Sequence, residues 1–176
     1  MSHVSEGLEL LGRAATEGLI DLVVTERAQQ APAWTGPADY AELLAVHGSL
    51  SCHRDYAGRT PRFAVLDEKG FVALNRDLVH QQRFGLSTDH FVGFAEAGDD
   101  AAWCFDVTTP DYPVYYVHRE EPRSRHRNTG EWENPADSTP DFPSFTAWFT
   151  AMCEAFSSPH PPRWFPYLGE PGLSFP

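Results

Sequence analysis

The chain is short of cysteine, of basic side chains and of long apolar runs, and each shortage closes off a class of protein. Its three cysteines, Cys52, Cys104 and Cys153, are odd in number and widely spaced, with no Cys-x-x-Cys pair. That excludes a disulfide framework or a zinc ribbon and reads as free thiols in a reducing compartment. No apolar run approaches the ~18 residues of a membrane span. The N-terminus lacks the basic segment and apolar core of a secretory signal. The expectation is a soluble, cytoplasmic protein. Lys and Arg total 13 against 25 Asp and Glu, a net charge of −12. Nucleic acid and anionic membranes both demand basic surface, so neither is expected as a ligand, and a basic protein becomes the natural counterpart. Glycine-rich phosphate cradles, nucleophile elbows, His-Glu-x-x-His, internal repeats and low-complexity tracts are absent as well.

What is there is aromatic. Apolar residues make up 41% of 176 residues, with five Trp and twelve Phe, enough for one packed domain. The organising stretch is Phe91 to His118, three short apolar runs parted by two turn signals. Phe91 to Ala95, Trp103 to Val107 and Val114 to His118 read as strands, with Gly98-Asp99-Asp100 and Pro110 to Tyr112 between them. Connections this short favour an antiparallel meander, with Trp103, Phe105 and Val107 on one face and Ala102, Cys104 and Asp106 on the other.

The same stretch resembles the SMI1/KNR4 (SUKH) superfamily. The family's recurring pattern is a strand ending in glycine and an aromatic, a Gly-Asp turn, a strand ending in aspartate, a Pro-Val-Tyr strand, and a late helix opening with Ser-Phe. Here these are Gly93-Phe94, Gly98-Asp99, Phe105-Asp106, Pro113-Val114-Tyr115 and Ser144-Phe145. The order and spacing match from Phe91 to Phe156. For bacterial members the resemblance implies an immunity protein that neutralises a toxin, often a nuclease, by occluding it. For fungal relatives it implies a regulatory scaffold.

Elsewhere, Val4, Leu8, Leu11, Ala15, Leu19 and Leu22 recur at steps of three and four, predicting a helix from Ser5 to Gln30, or two helices broken near Gly18. Pro37 opens a second helix carrying Tyr40, Leu43, Leu44 and His47, which Gly48 stops. Arg62 to Leu66 and Phe71 to Asn75 read as a hairpin closed by Asp67-Glu68-Lys69-Gly70, and Asp77 to Gln82 as a single helical turn. Glu120 to Pro140 carries one large apolar side chain, Trp132, and reads as a long loop. Asp141 to Phe156 predicts a helix capped by Asp141, with Phe145, Trp148, Phe149, Met152 and Phe156 on one stripe. Residues 1–157 form the expected domain, and the proline-rich tail 158–176 an extended strap held by Trp164, Phe165, Tyr167 and Phe175. The fold class is α+β: a mostly antiparallel sheet packed against N-terminal helices and a late aromatic helix.

Candidate chemistry is sparse. His47, Cys52 and His53 supply three zinc-competent ligands within seven residues, in a stretch read as a helix-to-strand loop. They support an alternative reading as a metal-dependent hydrolase, although no fourth ligand has a recognised spacing. Asp99 and Asp100 sit in a turn, where aspartate bonds local backbone rather than acting as an acid-base pair. No cysteine lies beside a cation or a helix start that would lower its pKa. The expectation is therefore no cofactor, no metal and no catalysis, but a protein-binding face. Tyr115 and Tyr116 point to opposite sides of a strand, so one is expected at the surface as an apolar anchor. Asp99, Asp100, Asp111, Glu120 and Glu121 would ring it with negative charge, with Tyr112 and Trp132 contributing further aromatic surface. The partner class that fits is a basic protein such as a toxin domain.

Overall fold

A helix whose aromatic side chains recur every three or four residues must bury that stripe, and here it does so against a sheet. The computed structural model describes residues 1–26 and 30–176. Helix α4, Phe145–Ser157, buries Phe145, Trp148, Phe149, Met152 and Phe156. Its cap is Ser144, whose Oγ accepts from the Ala147 amide at 3.2 Å, not Asp141 as the sequence suggested. Asp141 is drawn away because its carboxylate accepts from the Tyr116 amide and the Arg123 guanidinium.

The fold is α+β. Strands β1 (Asp21–Glu26), β2 (His47–His53), β3 (Arg62–Val65), β5 (Phe91–Glu96), β6 (Ala101–Asp106) and β7 (Val114–His118) form one sheet in that spatial order. Every neighbouring pair is antiparallel. A two-residue ribbon joins β4 (Leu86–Ser87) to β8 (Arg125–His126). The expected meander is the β5–β6–β7 half of the sheet, with a register shift between Gly93 and Ala95. The shift places Phe94 and Ala95 in the same core cluster despite their adjacency. Phe63, Phe94, Trp103 and Phe105 face α4, with Phe94 stacked on Phe105 at 4.1 Å between ring centroids.

Helix α1, His3–Thr16, is capped by Ser2 and lies against α4. Gly7 makes that approach possible, since a Cβ there would stand 2.7 Å from Phe149 Cε1. The predicted helix does not run on to Gln30: α1 stops at Thr16, Gly18 takes φ +75°, and 21–26 form β1. Leu19 and Leu22 fit a helical period, but β-branched Val23, Val24 and Thr25 pair with β2 instead. Residues 27–29 of that predicted helix lie outside the described residues.

Helix α2, Ala38–Val46, has Pro37 at its cap position and buries Tyr40, Leu43 and Leu44. Gly48 does not terminate it. The chain passes straight into β2, where a Cβ at 48 would meet the Glu26 carbonyl at 2.6 Å.

The predicted hairpin after β3 is also corrected. Phe71 to Asn75 is not a strand: helix α3, Glu68–Leu74, runs into a π-helical turn, Asn75–Val79. Asp67 Oδ1 accepts from the Gly70 amide at 2.9 Å, so the residues read as a turn are a helix cap. The helical turn expected at Asp77 to Gln82 is this π turn, displaced toward the N-terminus.

α3, the π turn and the 119–138 segment cover the second face of the meander. Leu74, Leu78, Val79, Phe91, Ala102, Cys104, Tyr115 and Val117 form a second core there. The Glu120 to Pro140 region is thus not structureless, since it supplies β8 and a 3-10 turn at Pro135–Ser138. Beyond α4 the tail turns once at Phe165–Tyr167, buries Phe165, and lays Phe175 on Trp103 at 4.9 Å. Tyr116 Oη accepts from the Gly169 amide and donates to the Glu170 carbonyl. Arg54, buried and with no carboxylate partner among the described residues, donates to the Ser158 carbonyl at 2.6 Å just past the end of α4. Among the described residues no helix is long and apolar enough to cross a membrane.

Candidate functional site

The residues singled out from the sequence are scattered by the fold. Asp99 and Asp100 are exposed at the β5–β6 turn, each paired with an arginine: Asp99 with Arg62, and Asp100 with Arg119 at 3.0 Å. Asp111 and Tyr112 lie at the opposite end of β6, both in the left-handed region with φ of 68° and 49°. Non-glycine residues hold that conformation only where surroundings impose it, and here the half-buried Tyr112 ring is wedged edge-on against Trp34 and Phe105. Glu120 is exposed, and Glu121 accepts from the Gly172 amide of the tail.

Neither tyrosine is at the surface, which corrects the expectation that one would be. Tyr115 is 3% and Tyr116 5% exposed. They do face opposite ways, but this half of the sheet is buried on both faces, so each enters a core of its own. Trp132 is half-buried beside Tyr115, with the Arg125 guanidinium 4.4 Å from its ring.

Around Trp132 lies a polar cluster. Asp106 is buried and accepts from the Thr108 amide and hydroxyl, the Thr109 hydroxyl and Arg125. Burial alone would raise its pKa, yet those bonds and the guanidinium hold it below the ordinary value. His90 is pushed down to about 4, by burial first and by the Arg125 charge second, while its Nε2 meets the Arg123 carbonyl at 3.2 Å. Arg123 donates to the Tyr116 and Thr139 carbonyls and to Asp141. Apart from Arg123 Nε and Arg125 Nε, buried with no acceptor among the described residues, these groups bond one another and backbone, pinning 119–141 to the sheet.

His47, Cys52 and His53 do not converge. All three lie on β2 rather than in a loop, with Cys52 turned into the helical core and the two histidines at opposite ends of the strand. Six residues of strand separate those ends by roughly 20 Å. Among the described residues no group of three His, Cys, Asp or Glu side chains is placed to hold a metal. The thiols are buried, and burial pushes Cys52 up to about 12 and raises Cys104 and Cys153 as well. None is primed as a nucleophile.

Sequence reasoning anticipated β3, as Arg62 to Leu66, but missed β1 and β2, and with them most of the β1–β2–β3 half of the sheet. Among the described residues the second face of this half has no layer comparable to the one over the meander. The register puts Val23, Thr25, Ser49, Ser51 and Ala64 together there, a surface of small side chains in which Thr25 and Ser49 share a hydroxyl hydrogen bond of 2.9 Å. Charges rim it: Asp21 with His53 at 2.9 Å, Arg62 with Asp99, and Glu96. Its depression of about 200 Å³, lined by Ser51, His53, Arg62 and Glu96 among others, is smaller than a typical small-molecule site. Of the partner-binding residues picked from the sequence, Asp99 alone borders this face, beside His53 from the metal reading. The signal was legible only as β-branching in Val23-Val24-Thr25, inside a window whose apolar spacing also fits a helix. No family model, no curated protein and no solved structure matches this chain.

Proposed function

We propose that the chain is a non-catalytic protein-binding module of immunity type, neutralising a basic toxin domain, such as a nuclease, by direct binding. The observation that carries this reading is the asymmetry of the sheet. One half is buried on both faces, whereas the other, among the described residues, leaves a partly exposed surface of small side chains with a charged rim. A face whose depression is too small for a typical small-molecule site suits a macromolecular partner better than a small substrate. The net charge of −12 selects a basic one, and the SMI1/KNR4 (SUKH) resemblance supplies the immunity class.

The test is co-expression with a candidate basic toxin domain, scored for restored growth, together with direct titration of the purified pair. Rescue that tracks formation of a stoichiometric complex supports the reading. Rescue without a complex, or turnover of the toxin by catalytic amounts of this chain, overturns it. Binding should also be steered by charge: Asp99→Lys/Asp100→Lys is expected to lower the association rate, more at low salt than at high, with little change in dissociation.

A further inference from the structure

Strand β1 is unlike the other five strands of the sheet: none of its residues is buried. It pairs with β2 on one side, and among the described residues nothing pairs with its other side. Val23 is 59% exposed on one face and Val24 43% exposed on the other. On the helical face Val24 joins Val46 and His47 in a groove of about 390 Å³ beside the C-terminus of α2. The sheet's far edge is treated in the opposite way. There Val114 exchanges backbone hydrogen bonds with Phe142, and the Tyr116 amide donates to Asp141. One edge is closed by the chain's own segment and the other is left as a row of outward N–H and C=O groups, which is the template for strand addition.

The charges on β1 say what fits. Its sequence is Asp-Leu-Val-Val-Thr-Glu, two valines between acids. A second copy pairing antiparallel over the full strand would set Asp21 against Glu26 twice, and each copy carries the same net charge of −12. Directly opposed like charges disfavour such a pair. A strand with apolar residues in its middle and Lys or Arg at both ends meets β1 with opposite charges at each end.

The geometry points to β1 as the docking edge for an extended segment of the basic partner, which adds as a seventh antiparallel strand. Its central side chains lie beside Val23 on one face and in the Val24–Val46 groove on the other. This rests on the binding reading above and deepens it by naming the mode of attachment.

The probe is a synthetic eight-residue peptide with a β-branched apolar centre and lysines at both ends, titrated into the isotope-labelled full chain and followed by backbone amide resonances. Shifts confined to 21–26 and the facing β2 residues are expected. N-methylation of alternate peptide amides, which removes the ladder donors without changing charge, should abolish them. A peptide with glutamates in place of the lysines should bind more weakly, by about three- to tenfold. The exposed Asp21→Lys/Glu26→Lys variant should reverse that preference while keeping the fold by circular dichroism. Shifts located elsewhere, no shifts at all, or equal binding of the N-methylated peptide would overturn the proposal. Because no toxin enters this assay, the two readings fail separately. Shifts at β1 with no growth rescue would condemn the immunity reading alone. Rescue by a variant whose β1 edge no longer takes the peptide would condemn strand addition alone.

Discussion

Replacing Trp148 with alanine is the sharpest test of the packing described above. The indole is fully buried, with the rings of Phe94, Phe145, Phe63 and Trp103 at 4.9, 5.6, 5.7 and 5.9 Å. A buried aromatic of this kind removes ~150–250 Å² from water, which at ~25 cal/mol/Å² is worth about 4–6 kcal/mol. Two further effects oppose each other. Trp148 Nε1 is buried with no acceptor among the described residues, a penalty of ~1–3 kcal/mol that the truncation relieves. The cavity left behind adds cost, because rings held by this many neighbours collapse only partially. The expected net loss is about 3–5 kcal/mol, read as a shift of the urea midpoint at constant m-value by far-ultraviolet circular dichroism. The phenylalanine variant separates the contributions: it keeps a ring in place and deletes the orphaned N–H, so its loss should stay below about 1.5 kcal/mol. A loss under ~1 kcal/mol for Trp148→Ala would place the aromatic stripe outside the core. Because both variants delete the N–H, equal losses would refute the packing account, whereas a phenylalanine loss well above ~1.5 kcal/mol would refute the account of the indole nitrogen.

Two other outcomes are expected. His90 stays neutral in the folded state down to about pH 4, whereas in the unfolded chain it takes up a proton near 6.5, so stability should fall as pH drops through that window. Thermal melts between pH 7 and 4 should show this decline flattened in His90→Asn; an unchanged slope would mean that His90 is solvated. The three buried thiols should react with a disulfide reagent at pH 8 only after denaturation, and rapid native labelling of any one would contradict its burial.

The parts of the fold legible in the sequence were those whose signals are local and redundant. The meander had turn residues between each pair of neighbouring strands, and α4 had an aromatic stripe with one possible phase. β1 and α3 failed for the same reason in opposite directions. In Leu19-Leu22-Val23-Val24 and in Phe71-Val72-Ala73-Leu74 the apolar residues satisfy both periods, and the decision comes from afar: β2 recruits the first, and the exposed second face of the meander requires a cover from the second. The buried pair Tyr115 and Tyr116 failed because strand alternation tells which way a side chain points, not whether a layer waits there. The open half-sheet was invisible because small polar residues such as Ser49 and Ser51 give no signal until the register sets them side by side.

The packing of α1 against α4 also has a bearing on how the protein is made. Leu10 and Ser157, joined by a hydroxyl-to-carbonyl hydrogen bond, are 147 positions apart, and the aromatic face of the meander is covered by a helix translated after it. At ~5–20 residues per second the ribosome delivers α4 several seconds after Phe94 and Trp103 have appeared. Through that interval those rings have no lid, and exposed apolar surface of this kind makes an incomplete chain prone to aggregation. The core in which Phe94 and Trp103 lie is complete only once α4 has closed over it.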